Sequence, residues 1–153
     1  MSADADIEEI RAIVQRQFDS LSWSKVKQPG WQAFANDFVA GAPLYSAARP
    51  VRGQTVDAFV DRMRTLSEST LTSLDEQLLG LNVQVFGNVA VAMATCQLNE
   101  NESETSRNVE AILLVRSDGR WQIAAQAWDT ETAEKPVPAA LLSLPQTPQQ
   151  RDT

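Results

Sequence analysis

Five side chains in this sequence have the chemistry to act on a small molecule: Asp37, Tyr45, Glu110, Trp128 and Asp129. Glu110 stands out because it interrupts the otherwise apolar run Val109–Val115. A carboxyl placed in an apolar cavity holds its proton to higher pH, which suits a general acid or base. The plainer alternative sets Glu110 toward solvent, paired with Arg107 or Arg116. Tyr45 offers a phenolic donor and Asp129 a second carboxylate, so Glu110, Asp129 and Tyr45 form the catalytic set if the chain is an enzyme. Asp129 could equally pair with Arg107 across a hairpin, and Asp37 could serve as a helix-end residue bonding nearby backbone. Arg49 and Arg52 flank Pro50 and could attract an anion. There is no histidine among the 153 residues. Imidazole acid–base chemistry, Ser-His-Asp and Cys-His nucleophiles and imidazole zinc sites are therefore excluded. The residues call for no metal and no cofactor.

Those groups need a scaffold. The composition is 43% hydrophobic and 22% charged, as expected of one ordinary globular domain. The net charge of −7 argues against nucleic acid, whose phosphates demand Lys and Arg. No run is long and apolar enough for a membrane span, and the acidic start Met1–Asp6 lacks the pattern of a signal peptide. Cys96 has no partner for a disulfide. These features predict a cytoplasmic protein that binds neither nucleic acid nor membrane.

From Asp6 to about Ser22, Ile7, Ile10, Ile13, Val14, Phe18 and Leu21 recur at helical spacing, with Asp6 and Glu9 suggesting a capped start. Trp31, Phe34, Ala35 and Phe38 predict a short second helix. Leu44 and Tyr45 suit a short strand. Thr55 is placed to cap a third helix carrying Val56, Phe59, Val60, Met63 and Leu66. Beyond Ser69 the period falls to two: Leu79, Leu81, Val83 and Val85 mark one strand, Val89–Leu98 a second, Val109–Val115 a third and Trp121–Asp129 a fourth. Phe86-Gly87-Asn88 and Ser117-Asp118-Gly119 are turns, and residues 99–106 read as a polar hairpin loop. The third strand is apolar on both faces and should be covered on both. Helices followed by a run of strands give an α+β domain. A single domain over residues 1–131 is expected, followed by a proline-rich extension, residues 132–153, in which Ala139–Leu144 could dock as a helical turn.

The register of the last hairpin decides where Glu110 points. A two-residue turn at Asp118-Gly119 pairs Arg116 with Trp121 and sets Glu110 on the face of Trp121 and Ala127. A three-residue turn with a glycine bulge pairs Val115 with Trp121 and turns Glu110 over. Both registers stand on the sequence, because neither face of Val109–Val115 is polar.

Four segments, in this order, resemble the nuclear transport factor 2-like superfamily, with its SnoaL-like and ketosteroid-isomerase-like branch. They are the amphipathic opening helix, Trp31–Asp37 (WQAFAND), Val51–Phe59 (VRGQTVDAF), and Asp118–Ile123 (DGRWQI) followed by Ala-Gln-Ala-Trp-Asp129. The resemblance spans about residues 6–131. It implies three N-terminal helices packed in a strongly curved, mostly antiparallel sheet, a cone-shaped α+β barrel with a pocket at its open end. It also implies a homodimer through the outer sheet face. Matching the isomerase puts its general base on Ala42 and its oxyanion-stabilising acid near Ala111, next to Glu110. Histidines of many relatives fall near Ala125 and Ala127. With those positions held by alanine, the expected function is a noncatalytic domain binding a small apolar or amphipathic molecule, or a protein-assembly domain. The alternative is a cofactor-independent isomerase, cyclase or dehydratase. A ligand would be lined by Asp37, Tyr45, Glu110, Trp128 and Asp129.

Overall fold

The computed structural model describes residues 3–145. Helix α1 is Ala3–Ser20, α2 Trp31–Asn36 and α3 Val56–Ser67; the strands are β1 Pro43–Tyr45, β2 Gly53–Thr55, β3 Leu74–Phe86, β4 Val89–Glu100, β5 Glu104–Ser117 and β6 Arg120–Thr130. All six strands form one sheet in the order β2-β1-β6-β5-β4-β3, antiparallel except where β1 runs parallel to β6. The architecture is α+β, with three helices against one face of a mostly antiparallel sheet.

The core follows from two periodicities meeting. Helix α1 buries Ile10, Ile13, Val14 and Phe18 against the inner residues of the long strands: Ala90, Ala92, Ala94 and Cys96 of β4, Ile112 and Leu114 of β5, Trp121 and Ile123 of β6. Each large apolar side chain so buried contributes roughly 1.5–3 kcal/mol. Small residues on β4 leave room for the helix. Thr55 caps α3 as its sequence predicts, its hydroxyl oxygen accepting from the Ala58 amide at 3.0 Å.

Some boundaries differ from the sequence expectation. Helix α1 begins at Ala3, so Asp6 is not its cap. Asp6 lies inside the helix, 4% exposed, because Arg116 and the Trp121 indole both donate to its Oδ1, at 2.6 and 3.1 Å. Glu9 accepts from the Trp121 amide, across to β6 and not back along its own helix. Residues 99–106 are mostly strand: β4 and β5 pair out to Glu100 and Glu104. The reversal is confined to 101–103, where Asn101 Oδ1 gathers the Thr72 and Ser73 amides. Strand β5 is covered on one face only; Leu113 remains 44% exposed on the other.

Two bulges set which residues face inward. In β3, Leu78 pairs with Cys96 and Gly80 with Thr95, leaving Leu79 as the extra residue. In β6, Leu113 pairs with Ala125 and Leu114 with Ile123, so Ala124 is extra. Each bulge reverses strand parity and bends the sheet. After β6, the chain turns back and a 3-10 turn at Ala139–Leu141 packs on β3 and β4. There Thr95 donates to the Leu141 carbonyl at 2.6 Å and the Leu81 amide to Ser143 at 2.9 Å. Gly80 is required at this crossing, since a Cβ would stand 1.9 Å from the Leu141 oxygen.

Candidate functional site

The last hairpin uses the two-residue turn. Arg116 pairs with Trp121, and Asp118 and Gly119 both take positive φ, 55° and 75°, as a primed turn demands. Counting alone would then put Glu110 beside Ala127. The bulge at Ala124 shifts the register, so Glu110 lies opposite Trp128, and Ala127 opposite Ala111 on the outer face. Glu110, Gln126 and Trp128 therefore point inward together.

They line a cavity of about 140 Å³ between the helices and the inner wall of the sheet. Strand β5 brings Asn108 and Glu110; β6 brings Gln126 and Trp128; β3 brings Glu76. From α1 come Gln17 and Phe18, from α2 Phe34, from α3 Phe59, Arg62 and Met63, and from β1 Leu44. The apolar side is aromatic: Phe34 stacks on Phe59 at 5.4 Å, and Phe59 meets Trp128 edge-on at 5.7 Å.

The polar side is an ordered relay. Gln17 and Gln126 exchange amide hydrogen bonds at 2.8 and 3.2 Å, and Gln126 Nε2 also donates to Glu110 Oε1 at 2.7 Å. This arrangement fixes both amides and occupies one oxygen of Glu110. Among the described residues no protein group bonds its Oε2. Glu110 is 7% exposed, and burial pushes its carboxyl up to about 7, against the opposing pull of the Gln126 bond. With Oε1 accepting from Gln126, Oε2 is the oxygen left free for a ligand. Glu76 is pushed well above the carboxylate range, first by burial and then by the negative charge of Glu110. Its protein partner is the Cys96 thiol, 3.9 Å away. Asn108 Oδ1 accepts from Thr130 at 2.8 Å, which leaves its NH2 as a donor.

The other candidate residues lie elsewhere. Tyr45 follows Leu44 on β1; strand alternation sends Leu44 into the cavity and Tyr45 away, with its ring over Gly53. Asp129 follows Trp128 and is likewise turned out. It is paired with Lys135 at 2.7 Å, and that bond holds its carboxyl below the usual range. Arg107 bonds Gln97 and not Asp129. Asp37, at the end of α2, is buried in a two-bond clasp with Arg16, at 2.7 and 2.8 Å. Ala42 is buried in the core and Ala111 faces outward, so Glu110 is the acidic residue this strand gives the cavity.

Sequence reasoning missed Glu76, Asn108, Gln17 and Gln126. Glu76 lies two residues before the inward Leu78, on the same side of the strand, and this parity was the available signal.

No family model matches the sequence, and no curated protein matches it. Solved structures do resemble it. A nuclear transport factor 2-like protein of unknown function from Pseudomonas putida aligns over 90% of this chain and 96% of its own, with a TM-score of 0.68 at 15% identity. A candidate dehydratase of the same fold from Streptomyces avermitilis aligns over 86% and 100%, TM-score 0.68, 12% identity. A candidate scytalone dehydratase from Novosphingobium aromaticivorans aligns over 84% and 85%, TM-score 0.68, 12% identity. Helices cradled by one curved sheet, with a polar-floored cavity between them, are the nuclear transport factor 2-like fold.

Proposed function

We propose that the cavity is a small-molecule site in which Glu110 moves a proton, in a reaction of the isomerase or dehydratase kind. The observation that carries this reading is a carboxyl buried in a cavity with one oxygen held by Gln126 and the other free. A group titrating near 7 can both accept and return a proton at neutral pH. Asn108 stands two residues away on the same strand face, about 7 Å along it. Its free NH2 supplies the hydrogen-bond donor that Tyr45 is not placed to give, and stabilises charge developing on a substrate oxygen. Two of the structural relatives are themselves candidate dehydratases, which favours the same class.

The test is turnover of a panel of one-ring β,γ-unsaturated ketones and β-hydroxyketones, followed by the absorbance of the conjugated enone. Wild-type protein should convert at least one member, and Glu110→Gln should lose about 100-fold or more in rate. Binding across the panel with no conversion would overturn the catalytic reading. It would favour a second one, a binding domain without turnover, which the outward placement of Tyr45 and Asp129 supports.

The outer sheet face carries Val89, Val91, Met93 and Leu113, all at least 37% exposed. We propose that a second copy of the chain covers it, since monomeric proteins rarely leave such a strip in water. Sedimentation at micromolar concentration should show a dimer, and Leu113→Glu a monomer. The lone buried Cys96 suits a cytoplasmic protein.

A further inference from the structure

We propose that the ligand of this cavity is a small organic cation, a protonated amine of about one ring in size, with its charge against Glu110 and its carbon body against Phe59 and Trp128. The inference rests on the cavity being a ligand site and names the chemical class it takes.

Size comes first. A volume of about 140 Å³ is close to the roughly 150 Å³ of an engineered apolar cavity that accepts benzene.

Charge is the second argument. Elsewhere in the core each buried aspartate has a guanidinium: Asp6 has Arg116 and Asp37 has Arg16. Glu76 and Glu110 face one cavity with a thiol and a carboxamide as their protein partners. Among the described residues no Lys or Arg bonds either of them. Two desolvated carboxyls without a cation must hold protons or receive a positive charge from outside. An anionic ligand would add a third acidic group; a neutral one binds by hydrogen bonds alone, and only a cation also supplies the missing counter-charge. A cation completes the site.

The walls agree with this. Ring faces attract cations, most strongly when water is excluded, and Phe34, Phe59 and Trp128 supply three aromatic rings beside the acid pair. The charged and titratable groups around Glu110 are few. Strand β3 gives Glu76, β4 gives Cys96 behind it, and α3 gives Arg62, which is exposed to solvent. Helix α1 and strand β6 give the neutral Gln17, Gln126 and Trp128. Arg62 bonds neither carboxyl and is the one lining residue that would favour an anion.

Calorimetry with benzylamine, benzyl alcohol and benzoate, three probes of one shape, separates the possibilities. Benzylamine should bind wild-type protein about tenfold or more tighter than benzyl alcohol at about pH 8, and benzoate weakest. The preference should narrow at about pH 6, where Glu110 keeps its proton. Binding of benzylamine near neutrality should release protons into the buffer, and Glu110→Gln should abolish both the release and the preference. Thermal unfolding of that variant checks that it is folded. Equal or tighter binding of the alcohol overturns the proposal, as does tight benzoate binding lost in Arg62→Gln, or no binding by any of the three. Ketone turnover without amine preference would sink this inference and leave the catalytic reading intact. Amine preference without turnover would do the reverse.

Discussion

Two acidic clusters lie on the inner face of the same sheet, and they are built differently. At one end Asp6 is buried between Arg116 and the Trp121 indole, with the guanidinium 5.1 Å above the ring and its Nε bonded to Asn88. Every strong group there has a partner. At the other end Glu110 is buried and Glu76 half-buried, with weak or neutral partners beside an empty volume. Burial is similar for Asp6 and Glu110, at 4% and 7% exposed. What separates them is the counter-charge. The first cluster serves as a clasp between α1 and the last hairpin; the second keeps its capacity to bond for something outside the chain.

This contrast can be broken most sharply at the clasp. Asp6→Ala removes the carboxylate partner of Arg116, whose side chain is only 20% exposed. Removing one partner of a buried pair costs about 3 kcal/mol or more, and urea unfolding should show that loss. A loss below about 1 kcal/mol would mean that the clasp does not hold the hairpin.

Glu110→Gln should act in the opposite direction. The folded-state value of Glu110 lies above its unfolded value near 4.5, so its favourable contribution is present below about 4.5 and is lost as pH rises through about 7. Wild-type stability should therefore fall over that window, by up to about 3 kcal/mol from this group. The glutamine variant should flatten the fall and be the more stable protein at about pH 8, as read from denaturation midpoints across pH. A parallel pH profile for the two proteins would remove the distinction between the clusters.

The smallest effect belongs to the surface pair. Lys135→Ala frees Asp129, but both side chains are more than half exposed, and the urea unfolding midpoint should be indistinguishable from wild type. A larger effect would show that the chain after β6 depends on this bond for its path.

The sequence made the scaffold readable where its signals are local. The α3 stripe with Thr55 ahead of it, the alternation of β3 to β6 and the Asp118-Gly119 turn each carry their geometry in a few neighbouring residues. The candidate site was half readable. Glu110 shows itself by breaking an apolar strand, and Trp128 follows from the closing strand. The bulge that orients them does not show, because Ala124 and Ala125 are the same residue and either could be the extra one. Asn108 and Glu76 sit among polar neighbours, so their strands look solvated there. Their partial cover comes from α1 and α3 closing over strand ends far away in the chain. Tyr45 and Asp129 have suitable chemistry on the wrong side of a two-residue repeat, which no inventory of residue types can register.

The segment after β6 has a consequence beyond its own packing. Strand β3 ends the sheet, and an end strand offers unpaired amides and carbonyls to any extended chain it meets. Ser143 takes the Leu81 amide just past the β3 bulge, and Leu141 lies over Gly80 where a side chain would have kept it off. The chain thereby caps its own open border at the point where the ladder is irregular. Of the sheet's two unlike margins, this one is covered at mid-strand, where strand addition would have to displace the segment after β6.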